Sequence, residues 1–255
     1  MLQAILHGKL SRAQENMEDL LTSMVFGLLG YLPPAEGLLP FLQHATTLDG
    51  YFPLKDLPGE TEVPTDKWCF WPWLHEEGVV KGCEPDVLLR VERPSGDSFL
   101  VLVEAKYLSG KSSTDEDDQL AREWHNLVRK AEQENANPVL IYLTADVGPP
   151  RAEIEESIRV AIDKRFEKNP LICWLSWRHI TRLTPKAGDD IPQDCKHLIL
   201  QDLNDLMDRL GLYFFRGFES LKDDHILTSN HWSFQPRFAW GTQCSPLTID
   251  WRFSP

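Results

Sequence analysis

No stretch of the chain approaches the roughly 18 consecutive apolar residues that a membrane-spanning helix needs, so no membrane partner is expected. The amino-terminal stretch up to Asp19 becomes charged before a signal-like apolar core can form, and a cytoplasmic location is expected. Cysteine is scarce. The five residues Cys69, Cys83, Cys173, Cys195 and Cys244 are odd in number and contain no Cys-x-x-Cys pair. That speaks against a disulfide framework and a zinc knuckle, and for reduced, mostly buried thiols. The eight histidines show neither His-x-His nor His-x-x-x-His spacing, which removes the usual zinc patterns. There is no Gly-Lys-Ser/Thr phosphate loop, no low-complexity tract and no repeat of solenoid period. Positive charge is also in deficit: 26 Lys and Arg against 39 Asp and Glu leave a net charge of −13. A molecule so charged repels polyanions, and composition alone would not nominate a nucleic-acid partner.

What is present is material for a core. Of 255 residues 42% are hydrophobic, with nine Trp and twelve Phe, enough for one well-buried domain with an extension. Residues 11–30 read as an amphipathic helix with Ser11 as cap, because Leu20, Leu21, Met24, Val25, Leu28 and Leu29 recur at three- and four-residue spacing. Pro33 and Pro34 end it. Residues 31–67 hold six of the 18 prolines and read as a long irregular connection, or short helical turns, over the surface. The cluster Trp68, Phe70, Trp71 and Trp73 reads most simply as packing against the core, with a ligand or base platform as the minor alternative.

Two strands, Val87 to Val91 and Phe99 to Val103, flank the hairpin-like turn Arg93-Pro94-Ser95-Gly96-Asp97. The acidic stretch Asp115 to Asp118 is expected to open a helix running to about Glu134, since acidic side chains suit a helix amino terminus. A strand at Val139 to Thr144, a helix over 151–168, a strand at Leu171 to Trp177 and a helix over 194–210 complete the pattern. This order predicts an α/β fold, a mixed sheet with helices on its faces. Residues 1–180 form the expected core, and residues 181–255 an aromatic and partly helical C-terminal extension packed on it.

Glu84-Pro85-Asp86 begins one strand of the hairpin and Glu104-Ala105-Lys106 ends the other. Side chains alternate along a strand, so Glu104 and Lys106 share a face, and an antiparallel partner puts Asp86 beside them. Glu84 falls on the opposite face. Two carboxylates crowded at a strand edge are costly to desolvate unless a cation joins them, and an oxygen-only donor set suits magnesium. A bound magnesium would lower the pKa of a water and offset charge on a phosphoryl oxygen, with Lys106 orienting that water. The plainer alternative is a set of strand-end charges paired with Lys106 and Arg90.

Pro85-Asp86, seventeen intervening residues and Glu104-x-Lys106 resemble the signature of the PD-(D/E)XK nuclease superfamily. The resemblance covers about residues 11–178 and implies a restriction-endonuclease-like mixed sheet flanked by helices. Asp194-Cys195-Lys196 is a decoy, since no apolar strand precedes it. The resemblance further implies a glutamate on the preceding helix: Glu18, with Glu15 about one turn away as the alternative. Gln119, on the next helix, is similar to an accessory glutamine of such nucleases, although the tyrosine often found four residues later is replaced by Glu123.

The implied activity is magnesium-dependent phosphodiester hydrolysis, with manganese able to substitute. Glu18, Asp86 and Glu104 are the metal ligands, and Lys106 completes the catalytic set. The implied substrate is DNA, with RNA left open. The setting is anti-phage defence or DNA repair, as a subunit among other proteins or as a homodimer. The alternative is a catalytically silent nuclease-like binding or scaffold subunit. Residues 151–186 carry eight Lys and Arg against five acidic residues, a modest basic face on an acidic body. Weak, salt-sensitive DNA binding by the chain alone is expected, with a more basic partner or a self-assembled groove making up the difference.

Overall fold

The computed structural model describes residues 18–110, 113–114, 117–163, 169–183 and 195–214. Five strands form one open mixed sheet: β1 (Trp68–Phe70), β2 (Val87–Glu92), β3 (Ser98–Ala105), β6 (Asn137–Thr144) and β7 (Ile172–Ser176), in that spatial order. β2 pairs antiparallel with both β1 and β3, whereas β3, β6 and β7 run parallel to one another. A separate two-stranded piece joins β4 (Ser113–Thr114) to β5 (Asp117–Asp118). The helices are α1 (Glu18–Leu29), α2 (Leu38–Leu42), α3 (Gln119–Gln133), α4 (Arg151–Asp163) and α5 (Cys195–Leu210). None is long and apolar enough to cross a membrane.

The sheet is apolar on both faces because both are covered, as in other sheets with parallel crossover strands. Val87, Leu89, Val101, Val103, Ile141 and Leu175 face a core built with α1, α2 and α5. Leu88, Leu100, Leu102, Leu140 and Trp174 face a second core built with α3 and α4. The period-2 alternation along each strand thus decides which helix layer each side chain meets. The β2–β3 hairpin turns where the Gly96 N–H donates to the Arg93 carbonyl at 3.0 Å, and Gly96 takes φ +90°, which a residue without Cβ adopts without strain.

Three segments differ from the sequence reading. Residues 31–67, expected over the surface, deliver Leu38, Leu39, Phe41, Leu42, Ala45, Leu54 and Leu57 to the core beside α1. The short α2 tolerates Pro40 because it falls in the first turn, where no intrahelical acceptor awaits its missing N–H. In the tryptophan segment Trp68 and Phe70 pack against the core as expected, but the segment is also a strand. Trp68 to Phe70 forms edge strand β1, so the sheet has five strands instead of four, and Trp71 and Trp73 beyond it are exposed. The third difference is local. The acidic run does not open α3 with several residues; Asp117 and Asp118 form β5, and the Asp118 carboxylate caps α3 by accepting from the Ala121 N–H at 2.9 Å.

Of the C-terminal segment, α5 packs Leu200, Leu203, Leu206 and Met207 into the same core as α1. Ser11 and Glu15, like residues 215–255, lie outside the described residues.

Candidate active site

The β2–β3 register pairs Val87 with Val103 and Leu88 with Leu102, which brings Asp86 opposite Glu104 at the end of the hairpin. Asp86 is held three ways. Its Oδ2 accepts from the Ala105 N–H at 2.8 Å, its Oδ1 from the Trp71 indole N–H at 3.2 Å, and its carbonyl from the Trp71 backbone N–H at 3.0 Å. Glu104, only 3% exposed, accepts from Lys106 Nζ at 2.6 Å and from Gln119 Nε2 at 2.5 Å. Glu18 arrives from α1 on the other face of the sheet. Its Oε1 accepts from Lys106 Nζ at 3.2 Å, and its Oε2 from the Tyr107 N–H at 2.8 Å and the Ser109 hydroxyl at 2.7 Å.

Asp86, Glu104, Lys106, Glu18 and Gln119 therefore meet in one place, although Glu18 lies more than eighty residues from its partners in sequence. Arg90, the alternative partner, stands at the far end of the hairpin, bonded to Glu92, Ser98 and the Glu134 carbonyl. Lys130 pairs with Glu134 at 3.1 Å, and Glu84 is exposed. A polar cleft of about 300 Å³, lined by Lys106, Ser109, Tyr142, Asp146 and Glu153 among others, opens beside the cluster.

Two residues join the site without having been assigned to it from the sequence, where Trp71 stood in the aromatic cluster and Glu123 in the place of an expected tyrosine. Trp71 fixes Asp86, and the signal was the edge strand: continuing β1 by one residue past Phe70 brings Trp71 level with Asp86. Glu123 is the other. It lies one helical turn beyond Gln119, whose Nε2 donates to its Oε1 at 3.0 Å, and the i, i+4 spacing on α3 gives it away. It is buried, its Oε2 meets no donor, and its carboxyl faces that of Glu104.

Four carboxyl groups thus surround a single ammonium. Burial first, and the Glu104 charge second, push the Asp86 carboxyl up to about 7. Burial likewise raises Glu104 against the opposing pull of Lys106. Glu123 is held well above the ordinary carboxylate range by burial and then by Glu104, so the proton this facing pair needs resides on Glu123. For Lys106, burial disfavours the charge, but Glu104 and Glu18 outweigh it and hold the ammonium above its usual value.

The donors suit a hard divalent cation in kind, being carboxylate oxygens with excess negative charge. Among the described residues, no group of three or more His, Cys, Asp or Glu side chains stands already arranged to hold a metal ion. The Lys106 ammonium bridges Glu104 and Glu18 and partly neutralises both.

No family model matches the chain, and neither a curated protein nor a solved structure matches it.

Proposed function

We propose that the chain is a divalent-metal-dependent nuclease with a restriction-endonuclease-like fold, hydrolysing DNA phosphodiester bonds in anti-phage defence or DNA repair. The observation that carries this reading is the charge imbalance of the cluster: buried Asp86, Glu104 and Glu123, with half-buried Glu18, around the one ammonium of Lys106. Burying that many carboxylates is costly unless protons or a cation compensate. Magnesium, or manganese in its place, would be held by Asp86 and Glu104 with Glu18 completing the set. When bound, it would offset phosphate charge and make a water more acidic.

The chain's own groups do the positioning. Gln119 orients Glu104, while Trp71 and the Ala105 N–H orient Asp86 so that its carboxylate cannot rotate away. Lys106 remains an ammonium next to two carboxylates, so it serves as a donor that orients the attacking water and meets charge developing on the phosphoryl oxygens. It is not a base that removes the proton. The water oxygen forms a new bond to phosphorus as the bond to the leaving oxygen breaks opposite it; the water gives its proton to solvent, and the leaving oxygen takes one up from solvent to depart as a hydroxyl.

The test is incubation of plasmid, linear duplex and single-stranded DNA with magnesium or manganese, using wild type, Asp86→Ala and Lys106→Ala. Cleavage by wild type and a loss of about a hundredfold or more in either variant is the expected result. Titration of manganese by calorimetry accompanies it, with binding abolished in Asp86→Ala. The bridging position of Lys106 favours a second reading, a catalytically silent nuclease-like scaffold; equal, metal-independent behaviour of wild type and variants would establish it and sink the nuclease.

A further inference from the structure

Trp71 is out of keeping with a packing residue. Its φ of +47° lies in the left-handed region, which bulky L side chains rarely adopt. Backbone outliers of this kind persist where the surroundings hold them, and they gather at functional sites. Here the two bonds to Asp86 hold it. The ring is 38% exposed, with the Phe70 ring beside it at 5.5 Å and tilted by 41°. Burial of apolar area therefore does not explain it. Because the indole N–H is committed to Asp86, what the side chain leaves to solvent is apolar aromatic surface.

We infer that Trp71 is a stacking platform for an unpaired DNA base, that of a nucleotide adjoining the phosphodiester group held at Asp86. This inference rests on the nuclease reading and narrows its substrate class to DNA that is single-stranded at the cut. A duplex keeps its base faces inside its own stack, whereas an unpaired base offers one to an aromatic ring. Charge supports the same choice. Among the described residues around the site, Lys106 is tied to Glu104 and Glu18, and Lys81 and Arg122 are tied to Asp117, so these three cations already have carboxylate partners. Stacking supplies affinity without them. The neighbouring Trp73 is a useful comparison. It is more exposed, and its ring lies over Gly82, where a Cβ would come within 2.7 Å of it.

The experiment measures manganese-dependent binding and cleavage of a short single-stranded DNA, intact or carrying one abasic nucleotide stepped along the strand. Wild type, Trp71→Ala, Trp71→Phe and Trp73→Ala are compared. At one abasic position wild type is expected to bind about tenfold to a hundredfold more weakly than it binds the intact strand, the range base–aromatic stacking supplies. Trp71→Ala loses that discrimination, while Trp71→Phe, which keeps a ring but not the bond to Asp86, retains most of it. A role confined to holding Asp86 gives the opposite pattern: both Trp71 variants weaken intact and abasic strands equally, and the inference fails. Discrimination lost in Trp73→Ala but kept in Trp71→Ala also overturns it. Binding and cleavage by wild type without any abasic effect refutes stacking and leaves the nuclease standing. No metal-dependent binding or cleavage of either strand refutes both.

Discussion

Glu123 shows how finely the cluster is balanced. Its Oε1 already accepts from Gln119, its Oε2 meets no donor, and the neighbouring group, Glu104, is another acceptor, so a neutral amide fits the place better than a carboxylate. Glu123→Gln is accordingly expected to stabilise the metal-free protein near neutral pH by about 1–3 kcal/mol, the cost of a buried charged group without its partner. The sign follows from the raised pKa. The folded state keeps a proton that the unfolded state releases above about pH 4, so Glu123 costs stability increasingly as pH rises, and the glutamine removes that cost. Thermal melts at about pH 5 and about pH 8 check it; a gain that does not grow with pH would refute the assignment of the proton to Glu123. At this scale the sequence was informative where geometry is local. Strand alternation and hairpin pairing were enough to put Asp86, Glu104 and Lys106 together. Glu18 came only through the family resemblance, since nothing local ties α1 to the end of β3. Trp71 escaped because its contact depends on a strand that was not recognised, and Glu123 because a tyrosine was expected in its place.

Elements were legible in proportion to their burial. The apolar runs of β2, β3, β6 and β7 are long, whereas β1 is a three-residue edge strand with one face open, too short for a periodic signal. The proline-rich connection was misjudged for a different reason. Proline marks irregular backbone, but irregular backbone need not lie on the surface when its apolar side chains point inward. Phe41, fully buried in α2 against Phe26 at 6.2 Å, is the decisive residue. Phe41→Ala is expected to cost 3–5 kcal/mol, roughly what emptying an aromatic site in a core costs. Urea unfolding measures it, and a loss below about 1 kcal/mol would return the segment to the surface. Of the basic residues in 151–186, Lys164, Arg165, Lys168 and Lys186 lie outside the described residues, and others have partners. Arg159 pairs with Glu156, Arg178 binds the Gly211, Tyr213 and Ala145 carbonyls, and Arg182 lies over the Phe214 ring at 4.4 Å. These side chains tie the structure together more than they form a face for DNA.

For the whole molecule, the raised carboxyls make stability respond to pH, and binding of the proposed metal should follow the same titration. Asp86 alone, moved from 3.8 to about 7, corresponds to roughly 4 kcal/mol of destabilisation once it must ionise. The metal-free protein should lose stability as pH rises from about 4 through about 7, because the folded state holds protons that the unfolded chain gives up. Magnesium should act in the reverse sense, raising the melting temperature more at about pH 8 than at about pH 5, where protons compete for the same oxygens. Melting curves with and without magnesium at the two values test both; an equal shift at each would argue against these carboxylates as ligands. The net charge of −13 adds to the destabilisation by self-repulsion and makes a cation welcome for the fold as well as for chemistry.

The way the site is stitched together also sets the order in which it can form. The Asp86–Ala105 bond closes a loop of 19 residues within one hairpin, whereas the Glu18 bonds to Lys106 and Tyr107 close 88 and 89. Long closures meet their entropy before any contact rewards it. The hairpin half of the site can therefore exist in a nascent chain before α1 docks, and the protein becomes competent only when its most distant segment, although synthesised first, comes home last.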